Sequence, residues 1–246
     1  MPTIKAPISE QYGKQHILYT ADAGTPVTTD WFEPGYWQQR DALSSVGTGR
    51  GAAWFIHDSE QDQDYVLRHF RRGGLIAKLS KDRYIWTGLD NTRAWSEWTL
   101  LNYIQESGLP GPRPLAARVI RHGLFYTADI LTHRIQNTRA LSDYLTDEKL
   151  SAATWRSIGT CIRQFHAAHV YHADLNAHNI LLNSALDIYI IDFDKGRIDK
   201  STAWQQKNLQ RLQRSLTKLS GLISGFNYCE DDWDALEKGY FSEVSS

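Results

Sequence analysis

The run Tyr171-His172-Ala173-Asp174-Leu175-Asn176-Ala177-His178-Asn179-Ile180-Leu181-Leu182 sets an aspartate and an asparagine five residues apart in a polar loop, with an apolar strand directly after it. Thirteen residues beyond Asn179 stands Asp192, within Ile190-Ile191-Asp192-Phe193-Asp194. A hard divalent cation such as Mg²⁺ takes oxygen ligands and binds through one or two carboxylates plus phosphate oxygens. Asn179 and Asp192 are ligands of that type. Asp174 is then left to orient a hydroxyl group and accept its proton as the oxygen attacks phosphorus. A plainer reading has Asp174 and Asn179 capping a turn and Asp192 ending a strand; the two-part spacing weighs against it.

This loop, with its Asn-to-Asp spacing, resembles the protein-kinase-like superfamily, whose pattern is H-R-D-x-x-x-x-N followed by D-F-G. Upstream residues agree with the resemblance. Gly47, Gly49, Arg50 and Gly51 resemble its glycine-rich loop, in which residues without side chains let backbone N–H groups approach phosphates closely. In Tyr65-Val66-Leu67-Arg68, Arg68 stands where the superfamily usually has lysine, and Glu97 in the following helix is its expected partner. Arginine is flat and forked, so it is not a neutral replacement. Lys78, in Leu75-Ile76-Ala77-Lys78, is the competing cation. Asp194 replaces the glycine of D-F-G, so a loop that swings is less expected.

The elements that must position these groups can be read from periodicity. Ala52–Ile56 and Tyr65–Phe70 read as strands separated by the polar turn 61–64, and residues 113–131 as two strands around His122-Gly123. Residues 91–106 read as a helix with Trp95, Trp98, Leu101 and Ile104 recurring, ended by Gly108-Leu109-Pro110. Residues 151–169 read as a helix with Trp155, Ile158, Ile162 and Phe165 on one face, 186–191 as a strand, and 202–223 as an amphipathic helix. In that last helix Leu209, Leu212, Leu216, Leu219 and Ile223 oppose Lys207, Arg211, Arg214 and Lys218. The expected organisation is an N-terminal extension over 1–45 with an aromatic knot at 31–37, a β-rich N-lobe over 46–132 with one helix, and a compact helical C-lobe over 133–246. The fold class is α+β, protein-kinase-like and two-lobed.

Composition closes off other classes. The chain has 246 residues, 41% hydrophobic, with Lys+Arg 27 against Asp+Glu 28, so it can bury a core and is not a globally basic nucleic-acid binder. Two cysteines, Cys161 and Cys229, make no disulfide framework. No apolar run reaches the length of a membrane span, and the N-terminus has no signal-peptide core. His166, His169, His172 and His178 match no standard zinc spacing.

The stretch after Asp192 leaves little room for the peptide-docking platform expected of a protein kinase and holds no Ala-Pro-Glu. A small-molecule, sugar or lipid-linked acceptor is favoured. Gly49-Arg50-Gly51, Leu67-Arg68-His69-Phe70-Arg71-Arg72-Gly73-Gly74, Asp82-Arg83-Tyr84, Gly108-Leu109-Pro110 and His172-Ala173-Asp174-Leu175-Asn176 together resemble the 3-deoxy-D-manno-octulosonic acid (Kdo) kinases, among the lipopolysaccharide core kinases. The resemblance covers roughly residues 30–225. It implies ATP and Mg²⁺ as cofactors, Kdo-lipid A as acceptor at its 4-hydroxyl, and a cytoplasmic enzyme working peripherally at the anionic inner-membrane surface, with no nucleic-acid or protein partner. In that frame Asp174 is the catalytic residue, Asn179 and Asp192 hold metal, and Gly47, Gly49, Arg50, Gly51, Arg68 and Glu97 serve the nucleotide. Lys195 and Arg197 are candidates for the Kdo carboxylate. The alternatives are a heptose kinase or other sugar phosphotransferase, and a kinase fold that binds without catalysing.

Overall fold

The computed structural model describes residues 8–20, 27–46, 53–72 and 82–242. Gly47, Gly49, Arg50, Gly51 and Lys78 lie outside the described residues. The chain divides into two compact units. One comprises the residues up to Asn102 together with Pro112–Arg134, and the other Tyr103–Gly111 with Ile135 onward.

The first unit is built on an antiparallel sheet. Its strands are β1 (Ile8–Tyr12), β2 (Gln15–Tyr19), β3 (Leu43–Val46), β4 (Ala53–Asp58), β5 (Gln63–His69), β6 (Tyr84–Ile85), β7 (Pro114–His122) and β8 (Phe125–His133). They run in the order β1-β2-β7-β8-β5-β4-β3, with β6 also paired to β8. The N-terminal stretch read above as an extension therefore contributes strands to this sheet. One face is covered by the aromatic knot, where a 3-10 turn (Thr29–Phe32) runs into α1 (Pro34–Gln38). Trp31, Phe32 and Trp37 are buried against Ile17, Ile56, Tyr65, Leu67, Leu115 and Leu131, and the Trp37 indole N–H donates to the Trp31 carbonyl at 2.8 Å. Burying the indole without that partner would cost most of what its apolar surface gains.

Register in this sheet is set by charge as well as by apolar alternation. Arg118 on β7 faces Asp129 on β8, and Asp129 faces His69 on β5. Arg118 Nε donates to Asp129 Oδ2 at 2.9 Å, and His69 Nδ1 lies 2.7 Å from Asp129 Oδ1. Arg118 and Asp129 are both buried. A slip of one residue would strand buried charges without partners, so this row pins the strand that carries Arg68. The helix α2 (Arg93–Glu106) is buried on more than the one stripe expected: Ala94, Glu97 and Leu100 are buried with Trp95, Trp98, Leu101 and Ile104.

The second unit holds β9 (Thr138–Ala140), α3 (Leu141–Asp147), α4 (Ala152–Ala167), β10 (Val170–Tyr171), β11 (Ile180–Asn183), β12 (Ile188–Ile190), β13 (Arg197–Ile198), α5 (Gln205–Leu222) and α6 (Glu230–Phe241). The strands β12, β11 and β9 form one small sheet, and β10 pairs with β13. Ser151 caps α4, its hydroxyl accepting from the Thr154 N–H. Trp155, Ile158, Ile162 and Phe165 are buried along α4, while Leu209, Leu212 and Leu216 bury the apolar face of α5.

Helices α4 and α6 approach through glycine. A Cβ on Gly159 would lie 2.0 Å from the Leu236 carbonyl oxygen, and one on Gly239 would lie 2.0 Å from that of Arg156. Backbone atoms cannot yield as flexible side chains do, so overpacking here forces the helices apart. Gly159→Ala is expected to cost about 3 kcal/mol of stability and to lower the urea midpoint accordingly. An unchanged midpoint would contradict this close approach.

Candidate active site

The loop that carries Asp174 and Asn179 leaves β10, passes through a 3-10 turn (Ala177–Asn179) and enters β11. Asn176 caps that turn, its Oδ1 accepting from the His178 N–H at 2.8 Å. The hairpin β11–β12 then returns the chain: Ile180 pairs with Ile190, which sets Asn179 beside Ile191 and hence next to Asp192. The thirteen-residue interval between the two ligand candidates is thus the length of one hairpin. The Ile191 N–H donates to the Asn179 carbonyl at 2.9 Å.

His172 joins the two ends of this arrangement. Its Nε2 donates to the Ile191 carbonyl at 2.9 Å, and its Nδ1 accepts from the Asp174 N–H at 3.1 Å. That pattern requires the neutral ring with the proton on Nε2. Burial pushes the His172 pKa below its ordinary value, which keeps the ring neutral. The side-chain amide of Asn179 donates from Nδ2 to the Asp174 carbonyl at 2.9 Å. With its nitrogen committed there, Oδ1 is the end of that amide with lone pairs to offer a cation.

Asp192 adopts φ +64°, in the left-handed region, where the chain turns sharply out of β12. Aspartate tolerates this backbone better than a β-branched residue does. Phe193 behind it is fully buried, stacked 5.6 Å from the Phe165 ring and 4.8 Å from that of His172. The buried phenylalanine anchors the turn, so position 192 is fixed from both sides. Asn179 and Asp192 form a pair of hard oxygen donors on adjoining backbone, which fits a Mg²⁺ ion. Among the described residues there is no group of three or more His, Cys, Asp or Glu arranged as a metal centre.

Helix α5 supports the loop from the side. Asn208 Nδ2 donates to the His172 carbonyl at 2.7 Å, and Ser215 Oγ accepts from the Ala177 N–H at 3.3 Å. Between them Arg211 donates from Nε to Asp174 Oδ1 at 2.9 Å, and its Nη2 also contacts that oxygen. Arg211, expected on an outward cationic face, therefore meets the catalytic candidate itself. Sequence reading missed Asn208 and Ser215. The available signal was that 208, 211 and 215 each immediately precede a buried leucine, forming a polar stripe along the apolar one.

In the first unit, Arg68 Nη2 donates to both oxygens of Glu97, at 3.0 and 2.8 Å. Glu97 is 3% exposed, so its charge depends on this partner. Of the cations suggested for an acidic sugar, Arg197 donates to Asp199 at 2.8 Å and lies 4.1 Å over the Tyr171 ring, while Lys195 is exposed.

Comparison with known proteins shows the family and the fold. The model of the lipopolysaccharide kinase (Kdo/WaaP) family matches residues 35–240. A 3-deoxy-D-manno-octulosonic acid kinase of Actinobacillus succinogenes is 39% identical over 228 residues, covering 91% of this chain and 95% of that protein. A protein of the same name from Vibrio cholerae is 44% identical over 185 residues, covering 75% and 78%. Among solved structures, WaaP in complex with acyl carrier protein superposes with a TM-score of 0.53 at 17% identity, covering 83% of this chain and 81% of that one. The likeness identifies an α+β, protein-kinase-like fold.

Two neutral histidines behind the loop make stability depend on acid. Burial lowers the pKa of His166, which contacts the Tyr240 hydroxyl at 2.8 Å, from 6.5 to about 4. Below pH 6.5 the unfolded chain takes up a proton that the folded chain refuses. Stability is therefore lost as pH falls from about 6.5 towards about 4. Urea titrations at stepped pH should show a loss of about 3 kcal/mol over that window from this group, and His166→Gln should flatten the slope. A profile flat from pH 7 to 5 would contradict the assignment.

Proposed function

The chain belongs to the lipopolysaccharide kinase (Kdo/WaaP) family, and we propose that it is a Kdo kinase, transferring phosphate from ATP to the 4-hydroxyl of Kdo on Kdo-lipid A during lipopolysaccharide inner-core assembly. The observation that carries this reading is the interlock of Asp174, Asn179 and Asp192 through His172, in a chain whose relatives are named for that acceptor. The shared name favours Kdo over heptose.

Asp174 orients the sugar hydroxyl and takes its proton as the oxygen–phosphorus bond forms and the bond to the departing ADP breaks. Asn179 and Asp192 would hold a magnesium ion, which supplies neutralisation of phosphate charge when bound. Arg68, held by Glu97, would serve the α- and β-phosphates, where a guanidinium offers a planar fork and lysine a point charge. Gly47, Gly49, Arg50 and Gly51, outside the described residues, are assigned to the nucleotide by the family resemblance alone. Positioning and fixed charge supply most of the acceleration.

The acceptor is a lipid, and we place the enzyme peripherally on the cytoplasmic face of the inner membrane. Among the described residues no helix is long and apolar enough to cross a membrane. Support comes from one corner of the first unit, where the paired Ile85 and Phe125 and the neighbouring Leu124 are 65%, 43% and 77% exposed. Arg121 lies 4.8 Å over Trp86 at the same corner. Aliphatic, aromatic and cationic groups together suit an anionic lipid interface.

Asp174→Ala is expected to cut transfer to Kdo-lipid A by about 10²–10⁴-fold, while equilibrium binding of the nucleotide is retained. Labelled ATP with the purified protein and acceptor measures the first, and calorimetry the second. Transfer at the wild-type rate in this variant would remove the proposed role.

A further inference from the structure

We propose that Arg211 forms an anion-binding site beside Asp174 that reads a carboxylate on the acceptor, and so selects acidic sugars over neutral ones. The inference rests on the phosphotransfer reading and adds to it the group by which the acceptor is chosen.

The geometry carries it. Arg211 Nε and Nη2 both meet Oδ1 of Asp174. That contact does not involve Oδ2 of Asp174 or the Nη1 edge of the guanidinium. An acceptor could present a hydroxyl to Oδ2 and an anion to the Nη1 edge at once, provided that both groups lie a few ångströms apart on one molecule. A 3-deoxy-octulosonic acid has that form: its carboxylate is carried on C2 and its 4-hydroxyl on C4, flanking the C3 methylene.

Exposure favours such exchange. Arg211 and Asp174 are 47% and 51% exposed in their side chains, so their mutual attraction is screened by water and easily surrendered in part. A bidentate carboxylate on the guanidinium gains more in a filled, drier site. The arginine is nevertheless well placed to read geometry. Asn208 and Ser215, on the same face of α5, bond to the loop on either side of it, which fixes the helix against that loop. Of the cations that sequence alone favoured, Arg197 is less suited, being bound to Asp199 and lying over the Tyr171 ring.

The test crosses one enzyme change with one acceptor change. Wild type and Arg211→Gln are assayed on Kdo-lipid A and on the same lipid with the Kdo carboxylate converted to the carboxamide. Loss of a charge-assisted pair is expected to lower kcat/KM on the natural acceptor by about 10- to 100-fold, mainly through KM. On the carboxamide the same substitution should cost about tenfold less or better, leaving only what Arg211 contributes through its contact with Asp174. Arg211→Lys, which keeps the charge without the fork, should recover part of the acid preference. Equal losses on both acceptors would show that Arg211 acts only by holding Asp174, and would overturn the inference while leaving the phosphotransfer reading intact. Wild-type enzyme that uses both acceptors equally would overturn it as well. If wild type phosphorylates neither, both the function reading and this inference fail.

Discussion

A neutral, buried imidazole holds the chemistry of the second unit together. His172 needs its proton on Nε2 to reach the Ile191 carbonyl and its bare Nδ1 to accept from Asp174. Protonation would replace the second bond by repulsion between two donors and would set a charge in a site that water does not reach. Asp174, proposed to orient the hydroxyl, and Asp192, proposed as a metal ligand, are separated by 18 positions, yet the backbone at both hangs from one ring. Asn179 closes the loop from the other side, through its own side chain to the Asp174 carbonyl and its own carbonyl to Ile191. Phe193 and Phe165 keep water away from the ring and complete the wall behind it.

The first unit answers a similar demand with ion pairs. A sheet that must present one arginine at one place needs its strands fixed in register, and the buried row of Arg118, Asp129 and His69 does this across three strands. Arg68, the residue before His69, points to the other side of its strand and meets Glu97. Arginine in place of lysine keeps its charge under any burial and offers a flat fork, at the cost of a larger group to accommodate. In the pair with Glu97, Nη2 donates to both carboxylate oxygens, a charge-assisted contact on a buried partner.

What could be read from the sequence was what is local. The Asp174–Asn179 loop and Asp192 were recognisable together because one short hairpin joins them, and a hairpin's length shows in the spacing. The helices over Arg93–Glu106, Ala152–Ala167 and Gln205–Leu222 follow from apolar periodicity, with ends within a few residues of those expected. What escaped was long-range. No pattern along the chain announces that Arg118, Asp129 and His69 share one row, since sheet register decides it. Helix α6 was not foreseen because its packing depends on two glycines, Gly159 and Gly239, eighty residues apart. Along the chain Arg211 reads as one of a row of cations opposite the leucines, and only the seating of α5 on the loop brings it to Asp174. The strands β1 and β2 add to the sheet a stretch whose polar composition reads as an appendage.

The most direct measurement is mass spectrometry of Kdo-lipid A before and after incubation with the protein, ATP and Mg²⁺, with linkage mapping of the product. One added phosphate per acceptor is expected, located on the Kdo 4-hydroxyl. An unchanged lipid, or a phosphate found on another sugar or on the lipid A portion, would contradict it.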